Sequence, residues 1–223
     1  MSTPLKAVIF DLDGLAVDSE PYHVQAWYQA VAELGGELKE ELLAYGFGRS
    51  VKETAEMIAK EYGVDAEALV ELRNKLFDAL TEGGIPPREG LVAAVESLRK
   101  MGMAVALASS GTSQYVSKVT KQLSVHYGIS FDYIVTRDDV TRGKPDPEPF
   151  LAAARGVGIE AAYCAVLEDA PTGALAARRA AMTCIVVPNE HTRNLEFPGG
   201  CIIVSTLTEA VSYIATINAT TAQ

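Results

Sequence analysis

The stretch Ala7-Val8-Ile9-Phe10-Asp11-Leu12-Asp13-Gly14 decides how this chain is read. Four apolar residues without polar alternation suit a strand buried on both faces, and such strands belong to parallel sheets. The run stops at two carboxylates two residues apart, which can share one cavity while differing in direction. Their mutual repulsion asks for a counter-charge, and a hard divalent cation supplies one. Gly14 lets the backbone turn sharply there. An ionised Asp11, whose ordinary pKa is about 3.9, can attack phosphorus as a nucleophile. Asp13 can protonate a leaving oxygen and later take a proton from water. Taken alone, Asp-x-Asp-Gly also fits a calcium loop or an ordinary turn.

Working outward, further apolar runs end at polar residues: 104–108, 133–135, 164–167, 184–187 and 201–204. All read as strands buried on both faces. Helical patterns lie between them, over 91–100, 150–155 and 170–182. Alternating strands and helices predict a doubly wound, Rossmann-like α/β domain with a parallel sheet. In such sheets the functional groups gather beyond the carboxyl ends of the strands. One stretch breaks the alternation. From about Ser19 to Gly83 there are helical patterns only: Val24, Trp27, Val31 and Leu34; Met57, Ile58 and Tyr62; Leu69, Leu72, Leu76 and Leu80. The expected organisation is an α/β core over 1–15 and 86–223, with a helical domain over 16–85 inserted after the first strand. Linkers near 15–18 and 83–88 would let the insert move as a lid and exclude water. The small polar residues from Asn218 onward are expected to fray.

Three later elements add chemistry to the Asp pair. Ser109-Ser110-Gly111-Thr112-Ser113 closes the 104–108 run, and its hydroxyls and N–H groups suit either a phosphate oxygen or the N-cap of a following helix. In Gly143-Lys144-Pro145-Asp146-Pro147, prolines stiffen the segment after Lys144, whose ammonium could bind phosphate and hold Asp11 ionised, or could be solvated. Glu168-Asp169 ends the 164–167 run. Their oxygens would complete a magnesium site with Asp11 and the carbonyl of Asp13, or would favour a helix N-terminus. Together the four elements supply a nucleophile, an acid/base, a cation, hydroxyl donors and metal ligands, the parts that phosphoryl transfer requires.

The bulk properties narrow the partners. Net charge is −10, with 19 basic against 29 acidic residues, so neither nucleic acid nor an anionic membrane is an expected partner. Three cysteines, Cys164, Cys184 and Cys201, show no metal-ligand spacing and suit core positions in a reducing compartment. With no signal-like head and no long apolar span, a cytoplasmic monomer acting on a small phosphorylated metabolite is expected.

These motifs resemble those of the haloacid dehalogenase superfamily of phosphatases and mutases, over nearly the whole chain. Phe10 to Gly14 is similar to its first motif, Ser109 to its second, Gly143-Lys144-Pro145 to its third and Glu168-Asp169 to its fourth. The helical insert is similar to the family's four-helix cap. The resemblance implies Asp11 as nucleophile and Asp13 as general acid/base. It implies Mg²⁺ held by Asp11, the Asp13 carbonyl and Asp169, with Glu168 in or next to the shell, and phosphate held by Ser109, Ser110 and Lys144. The dehalogenases themselves lack a carboxylate at the position of Asp13, so its presence implies phosphate esters rather than haloacids. Tyr22 to Trp27, with His23, and Gly48-Arg49 resemble the cap of β-phosphoglucomutase-like members. Phe47, Arg73 and Asn74 are further candidates for substrate selection. The expected activity is phosphomonoester hydrolysis, on a sugar phosphate or nucleotide-type substrate. A phosphosugar mutase is the alternative within the family. A receiver-like phosphorylation switch is the alternative outside enzymes, and the length and the helical insert speak against it.

Overall fold

A parallel ladder on both sides of one strand organises the larger part of the chain. The computed structural model describes residues 4–44, 46 and 51–221. The strands are β1 (Ala7–Phe10), β2 (Ala104–Ala108), β3 (Tyr133–Val135), β4 (Cys164–Glu168), β5 (Thr183–Val186) and β6 (Ile202–Ile203). They form one six-stranded sheet in the order β3-β2-β1-β4-β5-β6, parallel throughout. This is the doubly wound α/β architecture that the alternating pattern predicts. The chain first winds outward from β1 to β3, then crosses to the other side and continues through β4. The order therefore reverses between β1 and β4, which opens a crevice beyond their carboxyl ends.

Burial follows position in the sheet. Every residue of β1 and β4 is buried. The edge strands differ from the sequence expectation. Tyr133 in β3 is 44% exposed and Ile203 in β6 is 58% exposed. Of the apolar run 201–204, Ile202–Ile203 alone forms the strand. A strand with one neighbour has no second strand to shield its outer side, so an unbroken apolar run there is covered only in part.

Two compact units divide at Val17/Asp18 and at Pro86/Pro87. The sequence reading places those breaks after residues 15 and 85. Three residues change sides: Pro86 falls with the helical unit, and Ala16 and Val17, both fully buried, fall with the sheet-bearing one. The Gly14 N–H donates to the Val17 carbonyl (3.0 Å) and the Arg88 N–H to the Ala16 carbonyl (2.9 Å), which holds this short segment within the sheet-bearing unit.

The unit spanning 18–86 contains α1 (Glu20–Glu33), α2 (Glu40–Ala44), α3 (Val51–Tyr62) and α4 (Ala66–Leu80). Its core gathers Trp27, Ala30, Val31, Leu43, Ile58 and Leu69, among others. Asp65 caps α4 by accepting the Ala68 N–H at 2.8 Å, which satisfies one of the donors left open at a helix start. The buried stripe of α4 is Leu69, Arg73 and Phe77. Leu72 and Leu76 of the leucine pattern pack beside the core at partial burial.

The sheet-bearing unit adds α5 (Leu91–Lys100), α6 (Ser113–Tyr127), α7 (Glu148–Gly156), α8 (Pro171–Arg179) and α9 (Leu207–Thr221). Alternate strand residues share one face of a sheet. Ala7, Ile9, Ala106, Ala108, Cys164, Val166, Cys184 and Val186 accordingly form one side and bury Phe150 of α7 and Ala174, Ala176 and Ala177 of α8. The alanines let α8 lie close to the sheet, and Phe150 fills the remaining volume. At the other end of the chain, where fraying is expected from Asn218 onward, α9 runs through Thr221, and residues 222 and 223 lie outside the described ones. The Asn218 side chain accepts the Leu5 N–H (2.7 Å) and donates to the Leu5 carbonyl (3.0 Å), pairing α9 with the approach to β1. Among the described residues, no helix is long and apolar enough to cross a membrane.

Phe150 is fully buried between α7 and the sheet. Phe150→Ala should cost about 3–5 kcal/mol of stability, read as a lowered midpoint in urea unfolding followed by far-UV circular dichroism.

Candidate active site

The register of β1 against β4 places the acids. Phe10 pairs with Leu167, and the Asp11 N–H donates to the Leu167 carbonyl at 3.0 Å. The next residues in register, Asp11 and Glu168, therefore lie side by side where the β1–β4 ladder ends. Asp11, Glu168 and Asp169 are buried, and each offers a carboxylate oxygen within 4.8 Å of the others.

Lys144 enters from the turn before α7. Its ammonium donates to Asp11 Oδ1 and to Glu168 Oε1, the latter at 2.6 Å. The side chain is 6% exposed, so the pairing is shielded from water. Its Nζ also lies 4.8 Å from the centre of the Phe150 ring. Burial alone would lower the lysine pKa, but Asp11 and Glu168 outweigh it and hold the ammonium above its ordinary value. Burial pushes the Asp11 carboxyl up to about 8, a rise opposed by Lys144 and increased by Glu168 and Asp13. One ammonium thus leaves the three acids short of positive charge. A hard cation with oxygen ligands fits that deficit and that donor set.

Each acid is held by further contacts. Glu168 Oε2 accepts the N–H groups of Asp169 (3.0 Å) and Ala170 (3.2 Å) at the start of α8. Gly173 leaves the space that Glu168 occupies: a Cβ there would overlap the carboxylate. Asp169 Oδ2 accepts from the Asn189 amide at 2.8 Å. Asn189 is fixed in turn, since its Oδ1 accepts the N–H groups of His191 (2.9 Å) and Thr192 (3.1 Å). Gly14 has φ +75°, and a side chain there would strike both Asp169 and Asn189.

Asp13 lies one turn of backbone away and is partly buried. Its Oδ1 accepts from the Tyr115 hydroxyl at 2.5 Å. Ser109 is buried, with its N–H on the Val135 carbonyl (2.9 Å) and its Oγ accepting the Gly111 N–H (2.9 Å). Ser110 is exposed. The helix cap that the sequence left open is Thr112, whose side chain accepts the Tyr115 N–H at the start of α6.

The structure thus gathers Asp11, Lys144, Glu168 and Asp169 in one cluster at the strand ends, with Asp13 and Ser109 on adjoining loops. Three supporting residues escaped the sequence reading. Tyr115 lies two residues beyond the serine motif, in the first turn of α6, where an aromatic residue gives no chemical signal. Arg88 donates to the carbonyls of Gly14 (2.8 Å), Val187 (2.8 Å) and Pro188 (2.6 Å), tying the loop after β1 to the loop after β5. Asn189 was within reach of the strand-end rule, because only Pro188 separates it from the apolar run 184–187.

The helical unit groups some of the residues put forward for substrate selection. The Arg73 guanidinium is paired with His23 Nδ1 and donates to Asn74 Oδ1 (3.1 Å). It lies over the rings of Trp27 (5.4 Å) and Phe77 (4.8 Å), and His23 stacks on Phe77 with ring centres 4.2 Å apart. Phe47 and Arg49 lie outside the described residues.

Comparison with known proteins converges on one family. The model of the family described as haloacid dehalogenase-like hydrolase matches residues 8–187. The protein YhcW of Bacillus subtilis (strain 168) is 35% identical over 199 residues, covering 86% of this chain and 88% of its own. Hexitol phosphatase B of Escherichia coli (strain K12) is 30% identical over 200 residues, covering 87% and 89%. Among solved structures, CbbY from Rhodobacter sphaeroides, crystallised in complex with phosphate, superimposes with a TM-score of 0.75 at 24% identity, over 92% of this chain and 96% of its own.

Gly173 gives a test of the cluster that reverses the usual sign. Glycine-to-alanine inside a helix ordinarily gains up to about 1 kcal/mol. Gly173→Ala should instead lower the melting temperature, because its methyl group displaces Glu168, and should weaken divalent cation binding by tenfold or more in titration calorimetry.

Proposed function

The chain belongs to the haloacid dehalogenase-like hydrolase family, and on that premise we propose that it is a Mg²⁺-dependent phosphatase hydrolysing a small phosphomonoester through phospho-Asp11. The observation that carries this reading is the buried cluster in which Lys144 bridges Asp11 and Glu168 beside Asp169. A nucleophilic carboxylate at a strand end, a fixed ammonium and an adjacent proton donor are what phosphoryl transfer to a side chain needs.

In the proposed reaction the Asp11 carboxylate attacks phosphorus and the ester P–O bond breaks. Asp13 gives its proton to the departing oxygen. The same group then takes a proton from water as the water oxygen bonds to phosphorus and Asp11 is released. Lys144, Ser109 and Ser110 hold the phosphoryl oxygens. Asp11, the Asp13 carbonyl and Asp169 would hold Mg²⁺, with Glu168 supporting them from beside: its oxygens already accept from Lys144 and from the start of α8. When bound, the cation would neutralise charge on the phosphoryl oxygens and on the acids around them.

A sugar-type phosphate is the favoured substrate class, because a relative 30% identical over most of both chains is named a hexitol phosphatase. That name also favours transfer to water over transfer to a second sugar hydroxyl.

A phosphate-release screen over hexitol and hexose phosphates with Mg²⁺ tests the reading. Wild type should release free phosphate, and Asp11→Asn should fall by at least about a thousandfold; full turnover by that variant would remove Asp11 as nucleophile. Conversion of one sugar phosphate isomer to another with little free phosphate would instead show a mutase. Chelation with EDTA should abolish the activity and added Mg²⁺ should restore it, whereas undiminished release in EDTA would exclude the metal.

A further inference from the structure

We propose that Tyr115 is the positioning residue for Asp13, holding its carboxyl in one orientation through both halves of the reaction; this rests on the phosphatase reading above. The Tyr115 hydroxyl donates to Asp13 Oδ1 at 2.5 Å, across 102 positions of sequence. Both residues are partly buried. The reach is built rather than incidental. Tyr115 stands in the first turn of α6, which Thr112 caps by accepting the Tyr115 N–H itself. Its ring lies against Gly111, where a Cβ would come within 2.6 Å of Tyr115 Cδ1. A glycine at 111 is therefore required for the ring to lie along the loop and aim its hydroxyl at Asp13.

The chemistry of a carboxyl group explains what this contact does. A protonated carboxyl has one O–H donor and keeps acceptor capacity on the other oxygen, whereas the ionised group accepts at both. A donor committed to Oδ1 is compatible with either state, so this contact can persist while the proton is exchanged at Oδ2. In the first half, a bond forms between an Asp11 oxygen and phosphorus, the ester P–O bond breaks, and the proton on Asp13 Oδ2 passes to the leaving oxygen. In the second half, a water oxygen bonds to phosphorus, the Asp11–phosphorus bond breaks, and the water proton returns to Oδ2. Tyr115 exchanges no proton with either. Losing this contact removes one restraint on rotation about the Asp13 Cβ–Cγ bond, and the proton is less well aimed.

A leaving group that needs no proton separates this role from a general effect on the fold. Hexitol-type alkoxides leave poorly without protonation, while p-nitrophenolate leaves readily as the anion. The test compares kcat/KM of wild type and Tyr115→Phe on the best alkyl phosphate from the screen and on p-nitrophenyl phosphate. This ratio reports the steps through departure of the leaving group. The variant keeps the ring against Gly111 and should melt with the wild type. On the alkyl phosphate it should lose about tenfold to a hundredfold, and on p-nitrophenyl phosphate less than about twofold, as a misaimed donor matters little to a leaving group that departs as the anion. Equal loss on both esters, no loss on either, or a variant that fails to fold would each overturn the assignment. A wild type that releases phosphate from no ester would overturn the phosphatase reading itself, and this inference with it.

Discussion

Three carboxylates drawn out of water at the end of a sheet repel one another and lose hydration, and an isolated cluster of that kind would not stay ionised. The Lys144 ammonium, placed between Asp11 and Glu168, is the interaction that makes the cluster tenable. Much else serves that placement. The β1–β4 register sets the two acids side by side. The turn before α7 delivers the lysine from another part of the chain, and Phe150 fills the volume behind it. Gly173 clears the space for Glu168, and the start of α8 supplies N–H donors to its second oxygen. Positive charge still falls short of negative, which is why a cation fits the same place.

The loops beyond the sheet are tied in a matching way. Arg88 takes three carbonyls from the segments after β1 and β5, and Asn189 steadies Asp169 from the second of them. Such supporting contacts keep reactive groups within the narrow tolerance that phosphoryl chemistry allows. The helical unit carries its own buried polar group, with Arg73 lodged among His23, Trp27 and Phe77.

Much of this was legible in the sequence, for identifiable reasons. Central strands such as Ala7–Phe10 are apolar throughout because both faces are covered, and that pattern survives without any knowledge of neighbours. The polar residues that end those strands mark Asp11, Ser109 and Glu168-Asp169 as a set. What stayed hidden depends on tertiary context. Tyr133 and Ile203 look like interior residues until their strands prove to be edges. Arg73 stands out in the sequence as a candidate for substrate selection, but nothing in its leucine-patterned helix signals that it is buried against aromatic rings. Tyr115 and Asp13 meet across the fold through a packing relation with Gly111 that no spacing rule encodes. Asn218 reads as a fraying terminus until its amide is found on Leu5.

The central claim is that Asp11 is the group that accepts the phosphoryl moiety, and a covalent trap tests it most directly. The protein would be mixed with a substrate in the presence of Mg²⁺, quenched in acid within the first turnover and digested for mass spectrometry. The predicted result is one phosphoryl group on the peptide carrying Asp11, absent from Asp11→Asn and lost on exposure to hydroxylamine. Turnover under the same conditions with no modified peptide, or with the phosphoryl group on another residue, would contradict it.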